Sequence, residues 1–397
     1  MTGIRMIGLG AIALGVALAG GPAASQQIKI GLISSYSGFL ARGGDEMDGA
    51  FKLYAKLLDK DLPPGVTVEV LRRDDTSEAE VGKRLAQELI TREHVNLLIG
   101  VVGSPIATAI APLTAEAKVP LIIANAAGVN ITRLSPYVVR TSFTLWQSAY
   151  PLGTWASQQG WKTAFTAVSD FIPGHDAEEA FTKSFTAAGG KISGAIRFSP
   201  TSPDFPPVVQ RVKDAKPDVA FVWVPAGVQA TGMMKAIQDL KLRAVGINVV
   251  STQDLVPDEE LPNMGDTPVG LVTAGNYSTA ADRPANKAFM AAWDNEYQGK
   301  LVPDFISVGA WDAMAAVYDL IKATKGKFTS DEAMKFLTAW KNPDSPRGPI
   351  MIDPETRDVI QDIYIRRTEM KDGKLANVEF FTIPQVKDPW KQLNPPK

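Results

Sequence analysis

The sequence contains no cysteine, and only two of its 397 residues are histidine, His94 and His175. The missing thiols exclude disulfides, so an exported chain of this composition must be stabilised by a large apolar core. A catalytic triad, a zinc site and a Cys–His pair all become hard to build from two histidines and no thiol. The chain also lacks a basic block with interleaved aromatics, and its formal net charge is only −2, which argues against a nucleic-acid partner. A G-x-G-x-x-G after a strand is missing as well. The glycines of "GFLARGGD", 38–45, have the wrong spacing, and "GVVGSPIATAIAPL", 100–113, lacks the Gly-Lys-Ser/Thr of a phosphate loop. No cofactor and no metal is therefore expected. Beyond residue 25 no long apolar run appears, so the mature chain is expected to be soluble.

What is present begins with residues 1–25. Arg5 precedes the apolar "MIGLGAIALGVALAGG", a Gly-Gly-Pro breaks the run at 20–22, and Ala23-Ala24-Ser25 offers small residues for cleavage. This reads as a signal peptide with a mature start near Gln26, an uncleaved anchor being the alternative. Without a cysteine to carry lipid, the product would diffuse freely in a periplasm. With 45% hydrophobic and 21% charged residues the remainder is globular, and its length favours two lobes.

That remainder alternates apolar, strand-like runs with amphipathic stretches. "IKIGLISSY" is followed by a helical segment, 45–58, with Met47, Ala50, Phe51, Tyr54, Ala55 and Leu58 on one face. "VTVEVLRRDD", "VNLLIGVV" and "PLIIANA" continue the rhythm, and it restarts after "YVVRTSF". The expected fold is α/β: two doubly wound, parallel-sheet lobes. Ligands of such sheets lie beyond the carboxyl ends of the strands. The turns to read are therefore 34–44, 100–104, 125–128, 169–174, 225–228 and 251–254, and none holds a nucleophile–base pair or a carboxylate dyad. In the second of these turns Gly103 permits a tight bend, Ser104 is a candidate N-cap and Pro105 suits the first helical position. The segment reads either as an ordinary capped helix or as an anion site at a helix N-terminus.

Several stretches resemble the type I periplasmic binding proteins, in particular their Leu/Ile/Val-binding branch. They are "IKIGLISSYSGFLARGGDEMDGAFKLY", the Asp74-Asp75 pair, "LLIGVVGSPIATAIAPLTAEAKVPLI", "VRTSFTLWQS", "VSDFIPGHDAEEAFTKSFTAAGGKI", "PDFPPVVQRVKDAKPDVAFVW" and "GAWDAMAAVYDLI", in order along nearly the whole mature chain. The resemblance implies two lobes joined by three crossovers, near 140–141, near Tyr277 and within 350–362. The amino-terminal lobe would then hold 26–140 and 278–349, and the carboxy-terminal lobe 141–277 and 350–397. It further implies a monomeric solute receptor that closes on a small molecule and delivers it to an ABC importer's permease in the inner membrane. On this resemblance Ser104 takes the ligand's carboxylate.

Other positions depart from the amino-acid-binding members. Asn125-Ala126-Ala127 stands where they have Ala-x-Thr, Gly227 where they have a tyrosine, Gln253 where they have a glutamate, and Leu145 near an acidic position. An ammonium group needs a negative cage, and its members are neutral or missing here. Phe39, Trp146, Phe171, Trp223 and Tyr277 lie at or near strand ends and hinges; Trp223, inside a strand, reads as core, while Trp146 and Phe171 read as loop residues facing the cleft. Arg42 is either a partner for a carboxylate or a solvated arginine, and Asn125 and Gln253 are candidate hydrogen-bonding groups. The expected ligand is a small carboxylate, an aromatic acid of the benzoate or phenylpropanoid kind. A branched-chain amino acid is the alternative, a periplasmic ligand sensor is an alternative of another class, and a hydrolase lacks its catalytic groups.

Overall fold

Apolar runs of the sequence become the middle strands of two sheets, and the alternating runs become their edges. The computed structural model describes residues 26–395, so the segment read as a signal peptide lies outside the described residues. The first sheet contains β1 (Gln26–Ser34), β2 (Val66–Asp74), β3 (Leu97–Gly100), β4 (Leu121–Ile123) and β5 (Val138–Arg140). They are all parallel, in the order β2-β1-β3-β4-β5. β3 and β4 are buried along their whole length, whereas the edge strand β2 is half-exposed and carries Glu69, Arg72 and Arg73. Helices cover both faces of a central strand, so its side chains have no wet side to alternate toward.

The second sheet follows the same rule and then breaks it. β6 (Thr163–Ser169), β7 (Lys191–Phe198), β8 (Val219–Trp223), β9 (Asn248–Thr252) and β10 (Val272–Gly275) are parallel. β8 is wholly buried, and the edge strand β7 alternates exposed and half-exposed positions. Beyond β10 come β11 (Lys341–Asn342), β12 (Ile350–Ile352), β13 (Val359–Lys371) and β14 (Lys374–Val386), with β13 antiparallel to β10. Both lobes are thus built on mainly parallel sheets, the second with an antiparallel edge beyond β10. β13 and β14 form a long hairpin closed by Asp372-Gly373, both at positive φ, the turn that lets two strands meet without splaying.

The chain passes between the sheets three times. After β5 it enters the helix Leu145–Gln158, which packs on β9 and β10. After β10 it returns to the helix Pro284–Tyr297, which lies against the helix Ala41–Leu58. The helix Phe305–Thr324 then completes the first lobe, with Tyr54 edge-on to Trp311 and Tyr318 at 4.7 and 5.1 Å. β12 leads finally to β13.

A buried polar cluster binds these crossovers to one another. Arg347, 1% exposed, pairs with Asp312 at 2.9 Å and donates to the Ser142 carbonyl and to Gln361 Oε1. Asn276 Nδ2 donates to the same Gln361 oxygen, and Gln147 Nε2 donates to the carbonyls of Val359 and Val386. Buried polar residues of this kind are tolerated because each is tied into the network by at least one hydrogen bond.

Candidate ligand-binding cleft

The carboxyl ends of both sheets face a cleft between the lobes that holds about 500 Å³ of empty space, its mouth included. One wall is built by Gly103 and Ser104 after β3, Asn125 and Ala127 after β4, and Leu40, Gly43, Phe305 and Ile306 from two helix starts. The other wall is built by Phe171 and Pro173 after β6, Trp223, Pro225 and Ala226 at the end of β8, and Asp254 after β9. Phe143 and Leu145 close the side nearest the first crossover. The lining is mostly apolar and aromatic, with Ser104 and Asn125 as polar groups of one wall and Asp254 of the other.

In the first wall lies the helix Ser104–Ala117, whose first-turn N–H groups and dipole favour an anion. Its N-cap is Gly103, not Ser104 as the sequence pattern predicts. The reason is local: Ser104 Oγ accepts a hydrogen bond from the Gly128 N–H at 3.0 Å instead of turning back on its own helix. A hydroxyl that accepts from the backbone keeps its own proton to donate. Beside it, Asn125 Nδ2 donates to the Val102 carbonyl at 3.0 Å, leaving Oδ1 buried without a partner.

On the opposite wall Asp254 is 6% exposed, and its Oδ2 accepts a hydrogen bond from the Thr252 hydroxyl at 2.5 Å. Burial pushes its carboxyl up from 3.8 to about 6, against the opposing pull of Thr252, Trp223 and Arg366. Trp223 Nε1 is buried close by without completing a hydrogen bond, and its ring lies 5.6 Å from Phe171 at a tilt of 50°. Phe171 is in turn edge-on to Phe39 at 6.0 Å, across the mouth of the cleft.

Sequence reasoning and structure diverge at several candidates. Ser104, Asn125 and Phe171 are brought together in the cleft lining. Ala126 packs in the core of the first sheet, and its neighbour Ala127 reaches the cleft instead. Trp146 is not a loop residue: it sits in the first turn of Leu145–Gln158, fully buried and stacked on Tyr150 at 5.7 Å. Gln253 turns away to accept from the Asn276 N–H at 3.0 Å, and Tyr277 is buried with its hydroxyl on Asn286 at 2.8 Å, so both serve the crossover. Trp223, read as core, reaches the cleft because it ends its strand. Asp254 was missed altogether; the signal for it was a buried carboxylate type immediately after a predicted strand end.

The rim carries contacts between the lobes. Arg42 keeps 35% of its side chain exposed but is not free for a ligand: it pairs with Glu259 from the opposite lobe and lies 3.4 Å from Glu46. Gly227, at φ +99°, lies over this pair, where a Cβ would meet the Arg42 side chain at 3.5 Å. Burial raises the carboxyls of Glu46 and Asp304, which lie together behind Arg42. On the other side of the cleft Asp176 accepts from the Val129 N–H at 3.0 Å, and burial lifts its carboxyl to about 7.

With this geometry in place, comparison with known proteins identifies the chain's family. A sequence profile described as periplasmic binding protein matches residues 27–374. The chain belongs to that family. The Leu/Ile/Val-binding protein homolog 6 of Brucella melitensis is 37% identical over 390 residues, 97% of this chain and 99% of that protein. A solute-binding protein of an ABC transporter from Rhodopseudomonas palustris BisB5, solved with 3,4-dihydroxybenzoic acid, is 44% identical, with a TM-score of 0.88 over 92% of this chain and 99% of that one. Another from Rhodopseudomonas palustris, solved with 4-hydroxybenzoate, is 39% identical, with a TM-score of 0.87 over the same shares. The two-lobed α/β architecture is that of the type I periplasmic binding proteins, and the family is one of solute-binding proteins rather than enzymes.

Proposed function

We propose that this protein is the periplasmic receptor of an ABC importer for hydroxylated aromatic acids of the benzoate class. In this reading residues 1–25 are a cleaved signal peptide. The lobes, 26–140 with 278–349 and 141–277 with the chain from 350 onward, close on the ligand by hinge bending, and an inner-membrane permease receives the closed form. The single observation that carries the reading is the polarity of the cleft. A helix N-terminus with Ser104 belongs to one wall, a buried carboxyl, Asp254, belongs to the other, and the remaining lining is largely aromatic and apolar. An aromatic hydroxy acid has the matching order: carboxylate, flat ring, hydroxyl donor. Ser104 and the first-turn N–H groups hold the carboxylate, Phe171 and Trp223 flank the ring, and Asp254 accepts from the ring hydroxyl. The hydroxybenzoate complexes of the two Rhodopseudomonas proteins support the same ligand class.

A branched-chain amino acid is the second reading, supported by the name of the Brucella relative and by the presence of a carboxylate in the cleft. An α-amino acid carries both charges on one carbon, so its ammonium must be met beside the carboxylate site. There the lining is Asn125, Ala127 and Leu145, with no acidic side chain. Thermal unfolding of the protein with 4-hydroxybenzoate, 3,4-dihydroxybenzoate, benzoate and leucine separates the readings. A ligand present at 100 times its Kd adds about 2.7 kcal/mol. The hydroxylated acids are expected to stabilise most; a shift with leucine alone would overturn the aromatic assignment.

A further inference from the structure

Behind the rim of the cleft lies a group of buried acids that ligand binding does not use. Glu46, on the helix Ala41–Leu58, and Asp304, the N-cap of Phe305–Thr324, come from the first lobe; Glu259, in the connection after β9, comes from the second. Each offers a carboxylate oxygen within 4.8 Å of those of the other two, and among the described residues this is the one set of three acids so placed. They are 0%, 0% and 3% exposed.

The hydrogen bonding within this pocket is incomplete in a specific way. Neither oxygen of Glu46 has a hydrogen-bond partner, nor do Glu259 Oε1 and Asp304 Oδ2. Asp304 Oδ1 is already committed to the Ile306 N–H at 2.6 Å, and Glu259 Oε2 to Arg42. Three carboxyl groups therefore face one guanidinium in a space closed to water, and four of their oxygens accept no hydrogen bond from any other residue. A buried carboxyl so placed is either protonated, the state toward which burial drives Glu46 and Asp304, or is paired or coordinated to a metal.

We infer that Glu46, Asp304 and Glu259 form a divalent-cation site between the lobes. One divalent ion, displacing the protons that burial retains, neutralises the set, and ligand oxygens up to 4.8 Å apart fit metal–oxygen distances of about 2.3–2.6 Å. Calcium suits it better than magnesium, because calcium accepts irregular all-oxygen sets whereas magnesium holds to an octahedron and keeps its waters. Since Glu259 reaches the other two only across the seam, the ion favours the closed arrangement. Gly43 and Phe305, next to Glu46 and Asp304 on their helices, line the cleft, so cation and organic ligand share that closed state. By linkage each then raises the affinity of the other by the same factor.

The test uses the full mature protein stripped with chelator. Calcium chloride is titrated into it calorimetrically and its effect on the unfolding midpoint is followed, first without any organic ligand. One calcium per chain and a raised midpoint, both lost in Glu259→Gln, are expected, with magnesium at the same concentration doing far less. In chelator Glu259→Gln is expected to be at least as stable as the natural chain, having one buried charge fewer, which separates ligand loss from misfolding. The linked measurement is 4-hydroxybenzoate affinity with calcium and with chelator, expected to differ at least fivefold. No calcium heat and an unmoved midpoint in the ligand-free protein would overturn the site, whatever the aromatic acid does. Calcium binding in a protein indifferent to aromatic acids would leave the site standing and remove the ligand assignment alone.

Discussion

The cleft and the crossover cluster both bury polar residues, yet they bond them to different extents. In the crossover cluster Arg347, Asn276, Gln361, Gln147 and Gln253 are bonded to one another across three separate stretches of chain, with Arg347 Nε, Asn276 Oδ1 and Gln253 Nε2 left over. In the cleft no such network joins Asn125, Trp223 and Asp254: Asn125 Oδ1 is buried without a partner, and Asp254 is held in an apolar wall. Groups tied into a network fix geometry, while groups outside one can take a partner from a ligand. The difference teaches which polar residues hold the lobes in relation to each other and which are left for a ligand.

The largest expected effect is in the crossover cluster. Arg347→Ala leaves Asp312 buried, with only Asn342 and Ser345 as partners. Removing one member of a buried pair costs about 3–5 kcal/mol, so the denaturant midpoint should fall steeply. A loss below about 1 kcal/mol would mean that the crossovers are held by packing rather than by this cluster. The cleft should respond in the reverse manner. Asp254→Ala is expected to leave stability near its starting value, or to raise it, while weakening 4-hydroxybenzoate by about 1.5–3 kcal/mol, the range for a hydrogen bond to a charged group. Benzoate, lacking the hydroxyl, should lose little. Equal losses for both acids would remove Asp254 from hydroxyl recognition.

How far the sequence carried this comparison depends on which property is asked about. Strand positions followed from the runs themselves, and the character of each run matches its burial: "LLIG" and "VAFVW" are continuous and central, "KISGAIRF" alternates and lies at an edge. The hairpin β13–β14 was overlooked, although Asp372-Gly373 between two β-rich runs carried its signal. For the site, residue type and strand-end position were legible, but side-chain direction was not. Gln253 and Asp254 are neighbours after β9, and one faces the crossover while the other faces the cleft. Trp146 and Leu145 part in the same way at the start of a helix. A shift of one residue turns a side chain by about 100° on a helix and to the opposite face on a strand, and an unaided pattern does not set that phase.

Ser104 tests the other wall of the cleft with a smaller effect. Its hydroxyl accepts from Gly128 and has one proton to give. Ser104→Ala should therefore weaken benzoate and 4-hydroxybenzoate alike, by about 1 kcal/mol or roughly fivefold, because both present the same carboxylate. Selective loss of the hydroxylated acid would reverse the proposed orientation in the cleft, and an unchanged Kd would reduce Ser104 to a support for Gly128.

The smallest effect is a change of selectivity with pH. Burial raises Asp254 from 3.8 to about 6, so the folded chain binds this proton more tightly than the unfolded chain does. Through this group folding stability should fall as pH rises from about 4 to about 6, and change no further above that. Recognition runs the other way, because only the ionised carboxylate is a full acceptor for a ring hydroxyl. The ratio of benzoate Kd to 4-hydroxybenzoate Kd should thus rise a few-fold between about pH 5 and pH 7. Taking the ratio cancels the raised carboxyl of Asp176 at the seam, which closure on either acid engages equally. In Asp254→Asn the ratio should be flat. If it still climbs, the titrating group lies elsewhere and the hydroxyl end of the cleft must be reassigned; if it is flat in the natural chain too, the carboxyl is already ionised at pH 5 and its burial costs less than its surroundings imply.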